Sequence, residues 1–249
     1  VNGTVVEYTG GSTGTSLAFI CAIKGYPFRV VSSDAFSQDK LDYMKALGAE
    51  VTIIPSGGLG ISKQLIEKMI ETARKMSHEP GTFWTDQLNN KDNVLGYLQL
   101  GDEIWEQTGG QVDAFVHVVG SAGSLIGTSR ALKKHIPQVR IVAVEPDESP
   151  VLSGGESGSH DIEGIGIGFS PPLWDSSLVD EVMRISTEEA KEMARRLARE
   201  EGLFAGTSSG ANVAAAIKIA KKLGSGATVV TLLVDSGVKY LSTGLYKSS

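Results

Sequence analysis

The stretch VVEYTGGSTGTSLAFICAIKGY, Val5 to Tyr26, constrains the fold more than any other part of the chain. A β-branched run leads into a glycine loop, and a run of helix formers leads out of it. Strand, tight loop and helix in that order form half of a parallel crossover, because parallel neighbours cannot be joined by a hairpin. The unit then recurs. Thr4–Tyr8, Phe28–Ser32 and Glu50–Ile54 read as strands. Thr13–Lys24, Gln38–Leu47 and Ile61–Met76 read as helices, with Gly25 and Gly48 as stops. Ile61, Leu65, Ile66, Met69, Ile70 and Ala73 repeat close to helical spacing. A βαβαβα run predicts a parallel sheet covered by helices.

The polar run Asp86–Asn93, with Pro80 and Gly81 before it, breaks this rhythm. It is read as a domain boundary, with a smaller domain over 1–90 and a larger one over 91–249. Beyond it Val94–Thr108, Leu125–His135, Thr187–Glu201 and Ser209–Leu223 read as helices. Ala114–Val119, Arg140–Glu145 and Thr228–Val234 read as strands. Ser186 or Thr187 is placed to cap its helix. Pro146 to Pro172 is rich in Gly, Ser and Pro and reads as irregular, and loops of that length are usually functional. The expected fold class is α/β, three-layer, with parallel sheets covered by helices in two domains.

Charge and composition narrow the partners. The net charge is −6 and no basic tract occurs, which argues against nucleic acid as the main partner. No long apolar run occurs, so no membrane span is expected. Cys21 is the only cysteine, which excludes an intrachain disulfide and a cysteine-based zinc site. A reducing, cytoplasmic setting is expected. The chain opens on Val1 rather than Met, which points to processing, trimming or an incomplete N-terminus and leaves room for a targeting segment upstream.

Thr9–Gly14, Gly120–Ser124 and Gly206–Gly210 share one grammar: small residues and hydroxyls just before a helix. Glycine admits close approach of a ligand to the backbone. The helix N-terminus then turns free N–H groups and partial positive charge toward an anion. One such loop is weak evidence, since plain strand-to-helix turns use the same residues. Recurrence in an α/β chain, where ligands bind at the carboxyl ends of strands, is better evidence. None of the loops is G-x-x-x-x-G-K-[ST], and none is a G-x-G-x-x-G with an acidic residue at the expected distance, so neither a P-loop nor a nicotinamide site is supported.

With these segments in view, the chain resembles the fold-type II pyridoxal-phosphate enzymes, in the cysteine synthase and cystathionine β-synthase branch. VVEYTGGSTGTSLA resembles the family's T-S-G-N-T-G loop, and GSAGSLIG its phosphate cup. HDIEGIGIGF resembles its glycine-rich active-site segment. EGLFAGTSSGANVAAA resembles the segment whose serine faces the pyridine nitrogen, and VVTLLVDSGVKYLST its C-terminal strand and turn. The order of the segments matches over nearly the whole chain.

The resemblance implies a tryptophan synthase β-like fold, pyridoxal 5'-phosphate as cofactor, and β-replacement or β-elimination on an O-activated serine or related amino acid. It implies a role in sulfur amino-acid biosynthesis and a homodimer. It implies that Thr9, Gly10, Gly11, Ser12 and Thr13 bind the substrate carboxylate. It implies that Gly120, Ser121, Ala122, Gly123 and Ser124 hold the cofactor phosphate, and that Ser208 bonds the pyridine nitrogen. Gln87 matches a family glutamine near the substrate loop, and Gly164 a residue of the opposite wall.

The departures also carry expectations. Ser12 stands where the family usually has asparagine, Ala122 replaces a cup glycine, and Val234 replaces a proline. The family's Schiff-base lysine lies upstream of the substrate loop, and no catalytic lysine is assigned in this chain. Lys24, at the far end of the first helix, is the only lysine the sequence places near that loop. The chain as it stands is therefore expected not to catalyse the reaction alone, and a sheet edge or apolar surface is expected to lie uncovered.

Two other readings stay open at this point. Gly10-Gly11-Ser12-Thr13-Gly14 also fits a G-x-S-x-G nucleophile elbow, although Gly206–Gly210 fits equally well. A serine hydrolase would need a base from His78, His117, His135 or His160, and only His160, beside Asp161, is a plausible one. The third reading is a non-catalytic relative that binds an amino acid or a phosphate. Cys21 among Ala18, Ile20 and Ile23 reads as core, and His117 as a structural residue of a strand.

Overall fold

The alternation builds two parallel sheets in the computed structural model, which describes residues 3–247. The first holds β1 (Thr4–Tyr8), β2 (Phe28–Ser33), β3 (Glu50–Ile54) and β4 (Thr82–Trp84), in the order β3-β2-β1-β4. The second holds β5 (Ala114–Val118), β6 (Arg140–Pro146), β7 (Glu181–Ile185) and β8 (Val229–Thr231), in the order β7-β6-β5-β8. Every pairing is parallel. The sheets share one plan: the first strand is internal, the next two stack on one side, and the last pairs on the other. The order therefore reverses at β1 and at β5, and such a reversal opens a crevice at the carboxyl ends of the strands. The glycine loops after β1 and β5 sit at those two points.

Strands buried on both faces need apolar residues on both. In the first sheet Val6, Tyr8 and Val31 pack with Met69 and Ala73 of α3 (Lys63–Ser77). Phe28 and Val30 pack with Ala18 of α1 (Ser12–Lys24) and Met44 of α2 (Gln38–Ala46). In the second sheet Val116 and Val118 pack with Ala215 and Ile219 of α8 (Thr207–Leu223), which lies beside α7 (Thr187–Glu200). Phe115 packs on the other face with Leu125 and Leu132 of α6 (Gly123–His135). Each sheet is thus the middle of three layers.

Several elements differ from the sequence reading. Ser62 caps α3 through the Leu65 N–H at 3.3 Å, while Ile61 stays outside in an antiparallel bridge to His160. The helix expected over Val94–Thr108 is two, α4 (Asp92–Leu95) and α5 (Leu98–Gln107). α6 packs into the break at Gly127, where a Cβ would lie 2.3 Å from the Val94 carbonyl oxygen. β4 arises inside the stretch read as a break, and β7 was not foreseen. Ser186 caps α7 by accepting from the Glu189 N–H, as expected.

Candidate functional site

A cavity of about 370 Å³ lies between the two sheets. All three glycine loops reach it: Thr9 to Thr13 from the first, Gly120, Ser121 and Ser124 from the second, and Ser208 from the third. Gln87 and Gly164 line it as well. Ala122 and Gly123 do not line the wall directly; both are buried behind it.

The first loop is built around Thr9. Its Oγ1 accepts from the Gly11 N–H at 3.0 Å and the Gly14 N–H at 3.2 Å, which folds the loop onto its own start. Gly11 holds φ 151°, a conformation that side chains disfavour, and as the N-cap residue it offers α1 no side chain; only Thr9 Oγ1, at the Gly14 N–H, caps the first turn. The N–H groups of Ser12 and Thr13 are thus left for another acceptor. Thr13 Oγ1 donates to Gln87 Oε1 at 2.9 Å, and Gln87 Nε2 donates to the Tyr8 carbonyl at 2.7 Å. Gln87 in turn hangs on Glu7, a residue that sequence reasoning passed over. The Glu7 carboxyl accepts from the N–H groups of Tyr8 and Gln87 at 3.0 Å each, from Trp84 Nε1 at 3.3 Å, and from Thr85 Oγ1.

The second loop turns through Ala122, which holds φ 68° and ends without a side-chain cap on α6. Positive φ is allowed to alanine only at a cost, so the surrounding structure enforces this turn. Two glycines make the enforcement visible. A Cβ on Gly120 would lie 2.3 Å from the Gly164 carbonyl oxygen, and one on Gly123 would lie 2.3 Å from Asn93 Oδ1. Asn93 Nδ2 reaches Ser121 Oγ at 3.0 Å. An uncapped helix N-terminus, hydroxyls at Ser121 and Ser124 and no room for Cβ atoms make an anion cradle.

Comparison with known proteins agrees with this geometry. The pyridoxal-phosphate dependent enzyme family matches residues 2–235. The chain belongs to that family. It is 42% identical over 245 residues to a cysteine synthase of Staphylococcus aureus, which covers 98% of this chain and 77% of the relative. It superposes on an O-acetylserine sulfhydrylase of Entamoeba histolytica with TM-score 0.88 and 39% identity, over 100% of this chain and 73% of the other. It superposes on an O-acetylserine-dependent cystathionine β-synthase of Helicobacter pylori with TM-score 0.91 and 36% identity, over 98% and 78% of the two chains. The fold class expected from the sequence is that of these fold-type II relatives, and the chain is an enzyme of the transferase or lyase type that they represent.

The residues present fit the family's cofactor. The cradle before α6 suits a phosphate, and the cavity has room for the ring between the second loop and Ser208. The hydrolase reading fails on the histidines. No histidine is bonded to Ser12 among the described residues; His160 is held by the Gly166 carbonyl and the Ile162 N–H, and His135 by Asp102. His117, read as structural, in fact lines the cavity and touches Ser124. The lysine reading also needs correction. Lys24 is exposed at the far end of α1, as expected, but Lys40 also lies against the first loop. A Cβ on Gly11 would lie 2.4 Å from Lys40 Cδ, and the ammonium bonds Glu163 and Tyr240.

Glu7 and His117 carry opposite pH linkages. Burial pushes the Glu7 carboxyl up from 4.5 to about 7, against the donors around it. Between those values the folded chain holds a proton that the unfolded chain has lost, so this contribution is present below pH 4.5 and lost as pH rises through 7. Burial lowers His117 from 6.5 to about 4. Its contribution is present above pH 6.5 and lost as pH falls toward 4. The two oppose one another over the same window. Glu7→Gln removes one of them, so the stability of the variant should rise more steeply than that of the wild type between pH 4.5 and 6.5, by about 2 kcal/mol. Urea melts at both ends of the window read this out, and parallel curves would refute it.

Proposed function

We infer that the cavity binds pyridoxal 5'-phosphate together with a small amino acid, for β-replacement or β-elimination on an O-activated serine in the manner of cysteine synthase. The observation that carries the reading is the convergence of three helix-opening loops on one cavity. When bound, pyridoxal phosphate supplies an electron-withdrawing ring that stabilises negative charge at the substrate's α-carbon. Gly120, Ser121 and Ser124 face its phosphate with hydroxyls and the dipole of α6, while Ala122 and Gly123, behind the wall, shape the turn that opens the helix. Ser208 offers a neutral hydroxyl to the ring nitrogen. A neutral partner there, rather than a carboxylate, limits charge withdrawal into the ring and favours chemistry at the β-carbon.

The substrate carboxylate belongs on the first loop. Gly10 and Gly11 seat the loop against Phe36 and Lys40, and the N–H groups of Ser12 and Thr13 open α1 toward the carboxylate. Thr9 shapes the loop, and the Thr13–Gln87 bond fixes the side of the pocket facing the substrate. Gly164 forms the facing wall. Ser12 is shorter than an asparagine and leaves more room beside the ring. The reading divides the chain into a substrate-loop domain over 1–90 and a cofactor domain over 91–249. It also makes the protein a cytoplasmic homodimer; the apolar side chains exposed on α1 at Phe19, Ile20 and Ile23 form a surface that a further chain segment or a second subunit would cover. Among the described residues no helix is long and apolar enough to cross a membrane.

Equilibrium dialysis tests the two halves of the site separately. Pyridoxal phosphate should bind saturably and be displaced by inorganic phosphate. Ser208→Ala should weaken it about three- to tenfold, the cost of one hydrogen bond. Thr13→Val should leave the cofactor bound but weaken O-acetyl-L-serine by a similar factor. No saturable cofactor binding would end the reading, and exchanged phenotypes would invert the assignment of the loops.

A further inference from the structure

Ser124, His117 and Asn212 stand in a line that a hydrolase would use in the opposite sense. Ser124 Oγ lies 2.9 Å from His117 Nε2, and His117 Nδ1 lies 3.2 Å from Asn212 Nδ2. The orientation of the Asn212 amide is fixed by backbone groups that allow no choice. Its Oδ1 accepts from the Val118 N–H at 2.8 Å, and its Nδ2 donates to the Leu232 carbonyl at 2.8 Å. The second hydrogen on Nδ2 therefore points at His117 Nδ1, which must present a lone pair. The ring proton of neutral His117 is then on Nε2. A hydrolytic triad needs the reverse, with the proton on Nδ1 and Nε2 free to take one from serine.

We propose that Asn212 and His117 form a relay that fixes Ser124 as a hydrogen-bond donor to the phosphate of the cofactor. Nε2–H donates to Ser124 Oγ and occupies its accepting side. Among the described residues the Ser124 hydroxyl has no other hydrogen-bond partner, so its own hydrogen is directed into the cavity that it lines. A hydroxyl so held receives an anionic oxygen with no reorientation. His117 is thus a positioning residue. It stays neutral because it is 2% exposed, and a charged ring would face an amide donor at Nδ1. The inference rests on reading Gly120–Ser124 as the phosphate site.

Two measurements test it. The first is long-range 1H–15N NMR of the wild-type imidazoles at pH 7. His117 should show a protonated Nε2 and an unprotonated Nδ1; the reverse tautomer or an imidazolium would overturn the relay. The second is a cycle of His117→Phe and Ser124→Ala, with inorganic phosphate and pyridoxal phosphate dialysed against each protein. Ser124→Ala should weaken both ligands about tenfold, as expected for a donor to a charged oxygen. His117→Phe should weaken both about threefold or more when Ser124 is present and have no further effect alongside Ser124→Ala. An equal loss in both backgrounds would overturn the relay and leave the phosphate site standing. Unchanged binding in Ser124→Ala would overturn the site reading itself, while the tautomer would still be read independently. Should His117→Phe fail to fold, the wild-type tautomer decides.

Discussion

Lys40→Met should lower the stability of the folded chain by about 3–5 kcal/mol, the cost of removing one partner from a buried ion pair. Lys40 is 1% exposed. Its ammonium lies 2.8 Å from Glu163 Oε2, 2.8 Å from the Tyr240 hydroxyl and 3.4 Å from Asp235 Oδ2. Methionine keeps most of the volume and removes the only positive charge of the group. Two carboxylates then face one another with a phenol between them. Burial already holds Glu163 above its ordinary value even with Lys40 beside it, so loss of the ammonium raises it further. The damage should spread to the site, because the methylenes of Lys40 back Gly11 in the first loop and Glu163 lines the cavity. A fall in melting temperature of about 10 °C is expected for a chain of this size. Adding Glu163→Gln should recover part of the loss, since it removes the uncompensated charge. A loss below about 1 kcal/mol in urea melts would show that the cluster is well solvated in solution.

The same residues show what the sequence could and could not express. The three loops were legible because their signal is local: glycines and hydroxyls ahead of a helix, within a few residues of one another. Three of the strands that were found, β1, β2 and β5, are valine-rich runs buried over most of their length. β4 has only three residues, between Gly81 and the polar run that begins at Asp86, and it forms because β1 offers an edge and Glu7 binds Trp84 and Thr85. Glu7 and Lys40 were missed for a related reason. Their partners lie far along the chain, at Gln87 for one and at Glu163 and Tyr240 for the other, and no spacing rule spans such distances. His117 looked structural because it alternates within a strand; Asn212 and Ser124 give it a second role only once α6 and α8 close over β5. The pairing of a local cradle with remote supports is what a family resemblance compresses into a motif.

Gly120→Ala tests that pairing most directly. Gly120 does not hold a positive φ, so alanine is conformationally acceptable there. What it meets is backbone: the new Cβ would lie 2.3 Å from the Gly164 carbonyl oxygen, and neither loop can yield by rotating a side chain. Overpacking of this kind costs about 3 kcal/mol or more. Gly164→Ala is the matched control, since its φ of 89° carries conformational strain while no atom lies within 4 Å of the added Cβ. Left-handed strain alone costs about 1–2 kcal/mol. The expected order is therefore a larger loss of stability in Gly120→Ala. Pyridoxal phosphate affinity should also fall at least tenfold there, because the clash moves the loop that would hold the phosphate. Gly164→Ala should keep most of the affinity if it is the spacing of the two loops, and not the flexibility of either, that shapes the cradle. If Gly164→Ala is instead the more damaging of the two, that spacing is not the constraint, and the free space beside Gly164 in the cavity wall is.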